Sequence, residues 1–221
     1  MISITGVGWI KEDECGGVFR SYINKYSDKK NLQLMLGDSK ILPESIKNFG
    51  RFNEITKNVC FSAALALYDA GINPSKDGMF RGILSTDEEG CLPSNGNYFK
   101  DYVTCGRKLA RGNMFIYTLP STPIAEAAMV FGCQGPVMYL TFKENHIALI
   151  LDQAYMMVAQ KEASELLVIK SDQKESICFV VKDISIDTGK KYLSFEDINS
   201  MTRNRVTIAQ IINQCVEKVV I

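Results

Sequence analysis

The sequence predicts an α/β protein: a mixed, mostly parallel sheet of five strands with helices on both faces. Three observations predict it. Residues 135–168, GPVMYLTFKENHIALILDQAYMMVAQKEASELLV, read as strand, tight turn, helix and strand. A second helical run, residues 51–70, leads into a short apolar strand at residues 80–85, FRGILS. Two further β-rich segments stand at residues 1–9 and 177–182. Strands joined through a helix are parallel neighbours by default.

Taken in order, residues 1–9 carry Ile2, Ile4 and Val7 and end in Gly6-Val7-Gly8. Two glycines there mark either a close backbone approach or a sharp exit from the strand. Residues 11–50 have little period and read as irregular, with Pro43-Glu44-Ser45 as the start of a short helix. In residues 51–70, Ile55, Val59, Ala63, Ala66 and Ala70 share one face, and Gly71 closes the helix before Pro74. So many alanines on one side let a helix sit close to a sheet. Strand 80–85 is followed by the charged turn Thr86-Asp87-Glu88. Residues 90–125 hold Pro93, Gly96, Gly106, Gly112, Pro120 and Pro123 and read as loop.

Residues 136–142 form the next strand, and Lys143, Glu144 and Asn145 a polar turn. Ile147, Ile150, Leu151, Ala154, Met157 and Val158 recur at helical spacing. Ala148, Leu149, Met156 and Ala159 add to this stripe, which predicts a helix apolar nearly all round and therefore buried. Strands at 166–169 and 177–182 follow, then a turn at Thr188-Gly189-Lys190. Ser194 to Asp197 has the form of a helix N-cap. Ile208, Ile211, Ile212, Cys215, Val216 and Val219 make a last amphipathic stripe.

A chain of 221 residues holds one large domain or two small ones. Lys plus Arg and Asp plus Glu both number 25, so the net charge is zero. No basic stripe stands out, which argues against nucleic acid as a partner. No apolar run approaches the roughly 18–20 residues of a membrane span. The first residues, MISITGVGWIKEDE, lack the basic start and cleavage site of a secretory signal, so the expected compartment is the cytoplasm. The seven cysteines show no CxxC spacing and read as free, mostly buried thiols. His146 is the only histidine, so no metal site is expected. The GVG turn lacks the rest of the dinucleotide fingerprint, and no cofactor is expected.

Four stretches together resemble the N-terminal half of the β-ketoacyl synthases, condensing enzymes of the thiolase superfamily. They are the opening strand with Thr5 to Gly8, the run FGRFNEITKNVCFSAALALYDAGI, the run PSTPIAEAAMVFGCQGP, and residues 135–168. The resemblance spans residues 1–182, which it makes a ketosynthase-like, thiolase-fold half domain. Residues 183–221 form a C-terminal extension whose amphipathic helix is expected to pack on the same domain. Two departures stand out. The family's nucleophilic cysteine falls on Glu144, and its Gly-Thr-Gly-type turn is replaced by Thr86-Asp87-Glu88. The family's second half, which supplies two catalytic histidines, has no counterpart in residues 1–221.

The condensation of this family needs a thiolate to carry the acyl chain and histidines to stabilise developing charge. A carboxylate at 144 cannot form the thioester. The resemblance therefore implies a non-condensing subunit of fatty-acid or polyketide-type synthesis, akin to the chain length factors that pair with an active ketosynthase. Glu144 then serves as a helix cap, favourable by a few tenths to ~1 kcal/mol. His146 reads as a hydrogen-bonded packing residue, and Cys133 has nothing nearby to lower its pKa. The alternatives are a residual acyltransferase, decarboxylase or hydrolase acting on acyl-carrier-protein thioesters through Glu144 and His146, or a homodimeric acyl-binding module. The expected partners are a ketosynthase or a second copy of the chain, and an acyl carrier protein.

Overall fold

In a computed structural model the described residues are 1–73, 80–108, 111–144, 146–184, 191–203 and 206–220. Eight strands form one sheet: β1 (Ile2–Ile10), β2 (Glu14–Gly17), β3 (Ile23–Lys25), β4 (Arg81–Thr86), β5 (Val137–Tyr139), β6 (Glu165–Ser171), β7 (Ser176–Asp183) and β8 (Leu193–Ser194). Their order is β3-β2-β1-β7-β6-β4-β5, and β8 pairs β1. The five expected strands are all present, but the expectation of a mostly parallel, five-stranded sheet is corrected. Only β4–β5 and β4–β6 are parallel. The pairs β1–β2, β1–β7, β1–β8, β2–β3 and β6–β7 are antiparallel.

The physical reason lies in the connections. Helices connect β4 to β5 and β5 to β6, and a helical crossover is what a parallel pair requires. Between β6 and β7 there is only a tight turn, held by Asp172, whose carboxylate accepts the backbone N–H groups of Lys174 at 2.7 Å and Glu175 at 2.9 Å. Such a turn reverses the chain and forces an antiparallel pair. The parallel strands joined through the helix of residues 135–168 are not adjacent, because β4 lies between β5 and β6.

Among the described residues there are eight α-helices: α1 (Lys29–Asp38), α2 (Glu54–Asp69), α3 (Leu92–Thr104), α4 (Gly112–Phe115), α5 (Thr122–Val130), α6 (His146–Ala159), α7 (Phe195–Thr202) and α8 (Ile208–Val220). Helices α1, α2 and α5 share one core cluster, and α6, α7 and α8 share the other. Helix α2 lies against β1 so closely that a Cβ on Gly8 would stand 2.1 Å from the Ala66 nitrogen, and one on Gly6 2.3 Å from the Ala66 oxygen. The glycine pair therefore marks close approach rather than a strand exit. Helix α2 closes as expected at Gly71, whose φ is +71. There Ile72 N–H donates to Leu67 O and Gly71 N–H to Tyr68 O, the double bond pattern of a glycine-terminated helix.

Three other expectations change. Residues 11–50 contain β2, β3 and α1, and no helix starts at residues 43–45; a 3₁₀ turn at Phe49–Arg51 stands nearby instead. Residues 90–125 are largely helical. Pro93 sits in the first turn of α3, where its missing N–H costs nothing. Helix α3 buries no residue, so it carries no apolar stripe to read. Helix α6 buries Ile147, Ala148, Ile150, Leu151, Ala154, Met157 and Val158. It is not buried all round: Leu149 is 41% exposed and Met156 50%, alongside the exposed Asp152 and Gln153. Helix α7 covers part of it, with the rings of Tyr155 and Phe195 4.5 Å apart.

The C-terminal stripe packs as a core element, with Ile208, Ile211, Ile212 and Cys215 buried among residues of α6, α7 and β7. Ser194 caps α7 by accepting from Asp197 N–H at 3.1 Å. The turn expected at residues 188–190 lies outside the described residues. All seven cysteines are free, and Cys15, Cys60, Cys178 and Cys215 are buried. Among the described residues no helix is long and apolar enough to cross a membrane.

Candidate functional site

The parallel strands β4, β5 and β6 end on the same side of the sheet, at Thr86, Tyr139 and Ser171, and helix α6 begins there at His146. The carboxyl ends of parallel strands are where open α/β sheets place their ligands. Thr86 is fully buried, and its Oγ1 hydrogen-bonds His146 Nδ1 at 3.1 Å. The Phe142 ring meets the imidazole edge-on, with centroids 6.2 Å apart and planes at 89°. Strand β4 and the head of α6 are thus tied together through one imidazole nitrogen.

Asp87 follows Thr86 and closes the turn after β4 by accepting the backbone N–H of Gly90. Gly90 adopts a φ of +61, which the turn requires. The Tyr139 hydroxyl hydrogen-bonds the Asp87 carboxyl group. Burial pushes the Asp87 carboxyl above its ordinary value, against the lowering pull of these hydrogen bonds and of His146. Burial likewise pushes the Tyr139 phenol up, and the Asp87 charge adds to it. Beside them Lys170 pairs with Glu88 at 2.8 Å.

Glu144 is exposed, in the bend that precedes α6. The helix begins at His146, so its N-cap place is position 145, which lies outside the described residues, and Glu144 stands before it. Among the described residues Glu144 accepts no hydrogen bond and forms no ion pair, with His146 or any other side chain. His146 is half-buried and engaged with Thr86.

Two thiols lie in this part of the fold. Cys91 is near Asp87, and its Sγ faces the Thr118 carbonyl; burial raises its pKa. Cys133 lies beside Arg81 at the opposite end of β4, and burial pushes it up to about 11. Both are thiols at neutral pH, and a thiolate is what attacks a thioester. Among the described residues no group of three or more His, Cys, Asp or Glu could hold a metal ion.

The ledge formed by Thr86, Asp87, Tyr139 and His146 is therefore a polar, hydrogen-bonded rim. The sequence brought Glu144 and His146 forward; the structure adds Thr86, Asp87, Tyr139 and Cys91. The signal for Thr86 and Asp87 was their place just after an apolar strand, at its carboxyl end.

Among the described residues strand β5 is the last strand on its side of the sheet and pairs only β4. Its Val137 is 39% exposed and its Met138 40%. Other exposed apolar residues include Leu92 and Phe99 on α3, Phe115 and Ile116 after it, and Met129 on α5.

No protein-family model and no curated protein matches the chain. Solved structures do match it in fold. The ishigamide ketosynthase/chain length factor superposes with a TM-score of 0.62 at 11% identity, covering 85% of this chain and 63% of that one. A type II PKS acyl-carrier protein in complex with its ketosynthase bound to the hexaketide gives 0.62 at 11% identity, over 86% and 60%. A ketosynthase in complex with its chain length factor from Xenorhabdus doucetiae gives 0.55 at 10% identity, over 82% and 79%. The chain thus has the α/β fold of ketosynthase and chain length factor structures. It spans about three fifths of the length of the first two.

Proposed function

We propose that this chain is a ketosynthase-like, non-condensing subunit that pairs with an active ketosynthase in fatty-acid or polyketide-type synthesis, in the manner of a chain length factor. The observation that carries this reading is Glu144, an exposed carboxylate just before α6, at the place where the resemblance puts the family's nucleophilic cysteine. Burial raises the pKa of the Cys91 and Cys133 thiols, which does not favour a thiolate at either. The unpaired edge of β5, with Val137 and Met138 open to solvent, supports a partner on that side, since an uncovered strand edge invites pairing. The matched ketosynthase with its chain length factor from Xenorhabdus doucetiae is one such pair. In this reading residues 1–182 are the ketosynthase-like unit and residues 183–221 an extension packed on it. The setting is the cytoplasm, and an acyl carrier protein is a transient visitor.

Co-expression with a ketosynthase encoded beside this chain tests the pairing. Recovery of a stable heterodimer is expected; recovery of the lone monomer at high concentration overturns it. The rival reading is a residual decarboxylase, acyltransferase or hydrolase using Glu144 and His146, and it draws on the ordered Thr86–His146 contact. Malonyl-carrier decarboxylation measured for the native chain and for Glu144→Ala separates the two. Equal, background rates are expected; a rate above background that the substitution removes supports the enzyme.

A further inference from the structure

At the end of the sheet away from the Thr86–His146 ledge, where α2 stops, there is a cavity of about 540 Å³. That size lies within the range of small-molecule sites. Its lining includes Arg20, Lys40, Leu42, Glu44, Tyr68 and Gly71. We propose that it binds a small anion through a phosphate or carboxylate group, with Arg20 as the main recognition residue. This site is independent of the pairing proposed above.

Arg20 is held in place from two sides. Its backbone N–H donates to Asp69 Oδ1 at 2.9 Å. Asp69 is a buried carboxylate that also accepts from Val7 N–H at 2.9 Å and Phe19 N–H at 3.1 Å. The guanidinium then lies on the Tyr68 ring, 4.5 Å from its centroid. A guanidinium stacked on an aromatic face keeps its fork of N–H donors at the free edge, the geometry that takes a carboxylate or phosphate oxygen pair.

Among the described residues that guanidinium has no ion-pair partner. Asp69 is engaged by backbone donors, and Lys40 also lacks an ion pair among the described residues. Among the described residues of the lining Glu44 is the one carboxylate, set against Arg20 and Lys40. The negative end of α2 does not oppose an anion strongly, because the carbonyls of Leu67 and Tyr68 already accept from Ile72 and Gly71.

The test is a titration of the full chain with inorganic phosphate at constant ionic strength. It is followed by the arginine Nε–H signal of Arg20 and the amide signals of Gly71 and Ile72 in ¹H–¹⁵N spectra. Saturable shifts are expected. Arg20→Lys should weaken binding by about tenfold, because an ammonium keeps the charge but lacks the planar fork. Lys40→Ala should weaken it less, and Glu44→Gln should tighten it, a sign that a merely structural pair would not give. A parallel titration with citrate reads the ligand class: tighter binding of citrate points to a carboxylate, tighter binding of phosphate to a phosphoryl group. Shifts that stay linear with both anions, or an affinity unchanged in Arg20→Ala, overturn the proposal.

Discussion

Glu144 is exposed in the bend before α6 and unengaged among the described residues. Two other side chains carry far more of the fold. Arg81 and Glu165 pair at 2.5 Å, with each side chain 4% exposed, where β4 and β6 begin side by side. Arg81 keeps one buried nitrogen, Nη1, without a partner. Removing one member of such a pair leaves a buried charge uncompensated, so Glu165→Ala should lose about 3–5 kcal/mol in denaturant unfolding. Replacing both residues by apolar ones of similar volume should recover most of that loss.

Asp69 offers a pH test. Burial raises its carboxyl pKa, and its backbone donors lower it only in part. An unfolded aspartate titrates near pH ~3.9. Ionising Asp69 is therefore harder in the folded chain, and its contribution to stability falls as pH rises from about 4 through the raised folded value. Asp69→Asn should be less stable throughout but should lack that slope; the difference between the two unfolding curves against pH measures it. None of these three residues was legible in the sequence. Each owes its role to a neighbour 62 or more positions away for Asp69 and Val7, and 84 for Arg81 and Glu165. The helix that begins at His146 was legible because its apolar residues have a strong local period.

Among the elements, the best-read were those whose signal is local. Helix α2 followed from its alanine face and Gly71, and α6 and α8 from their stripes. Elements that bury little, such as α3, or that depend on a partner strand, such as β2 and β3, gave no such signal. The close packing of α2 on β1 turns two glycines into requirements. A Cβ on Gly8 meets the backbone of α2, at Ala66 N and at Ser62 O 2.4 Å away, and neither atom can swing aside as a side chain could. Gly8→Ala should cost about 3 kcal/mol or more, at the upper end for overpacking, while Gly37→Ala, which meets nothing within 4 Å, should not. Thermal unfolding of the two variants makes the comparison.

For the molecule as a whole, the sequence carried the class of fold but not the balance of the sheet. Strand direction depends on which strands become neighbours, and the hairpin at residues 172–175 and the return of β7 to β1 are long-range choices. The same arrangement leaves β5 at one margin. If that margin receives a ketosynthase, Met138→Lys should abolish the heterodimer in size-exclusion chromatography and leave the melting temperature of the single chain nearly unchanged. Edge lysines are a common bar to strand pairing, and Met138 is already 40% exposed.

Strand β1 lies in the interior of the sheet, flanked by β2 and by β7, and Met1 pairs through its ammonium group with Asp183 at 2.8 Å. During synthesis β1 must therefore wait for β7, which leaves the ribosome much later. Until β7 has cleared the exit, the backbone edge of Ile2–Ile10 that pairs with it has no mate. Non-local pairing of this kind slows folding and lengthens exposure to aggregation.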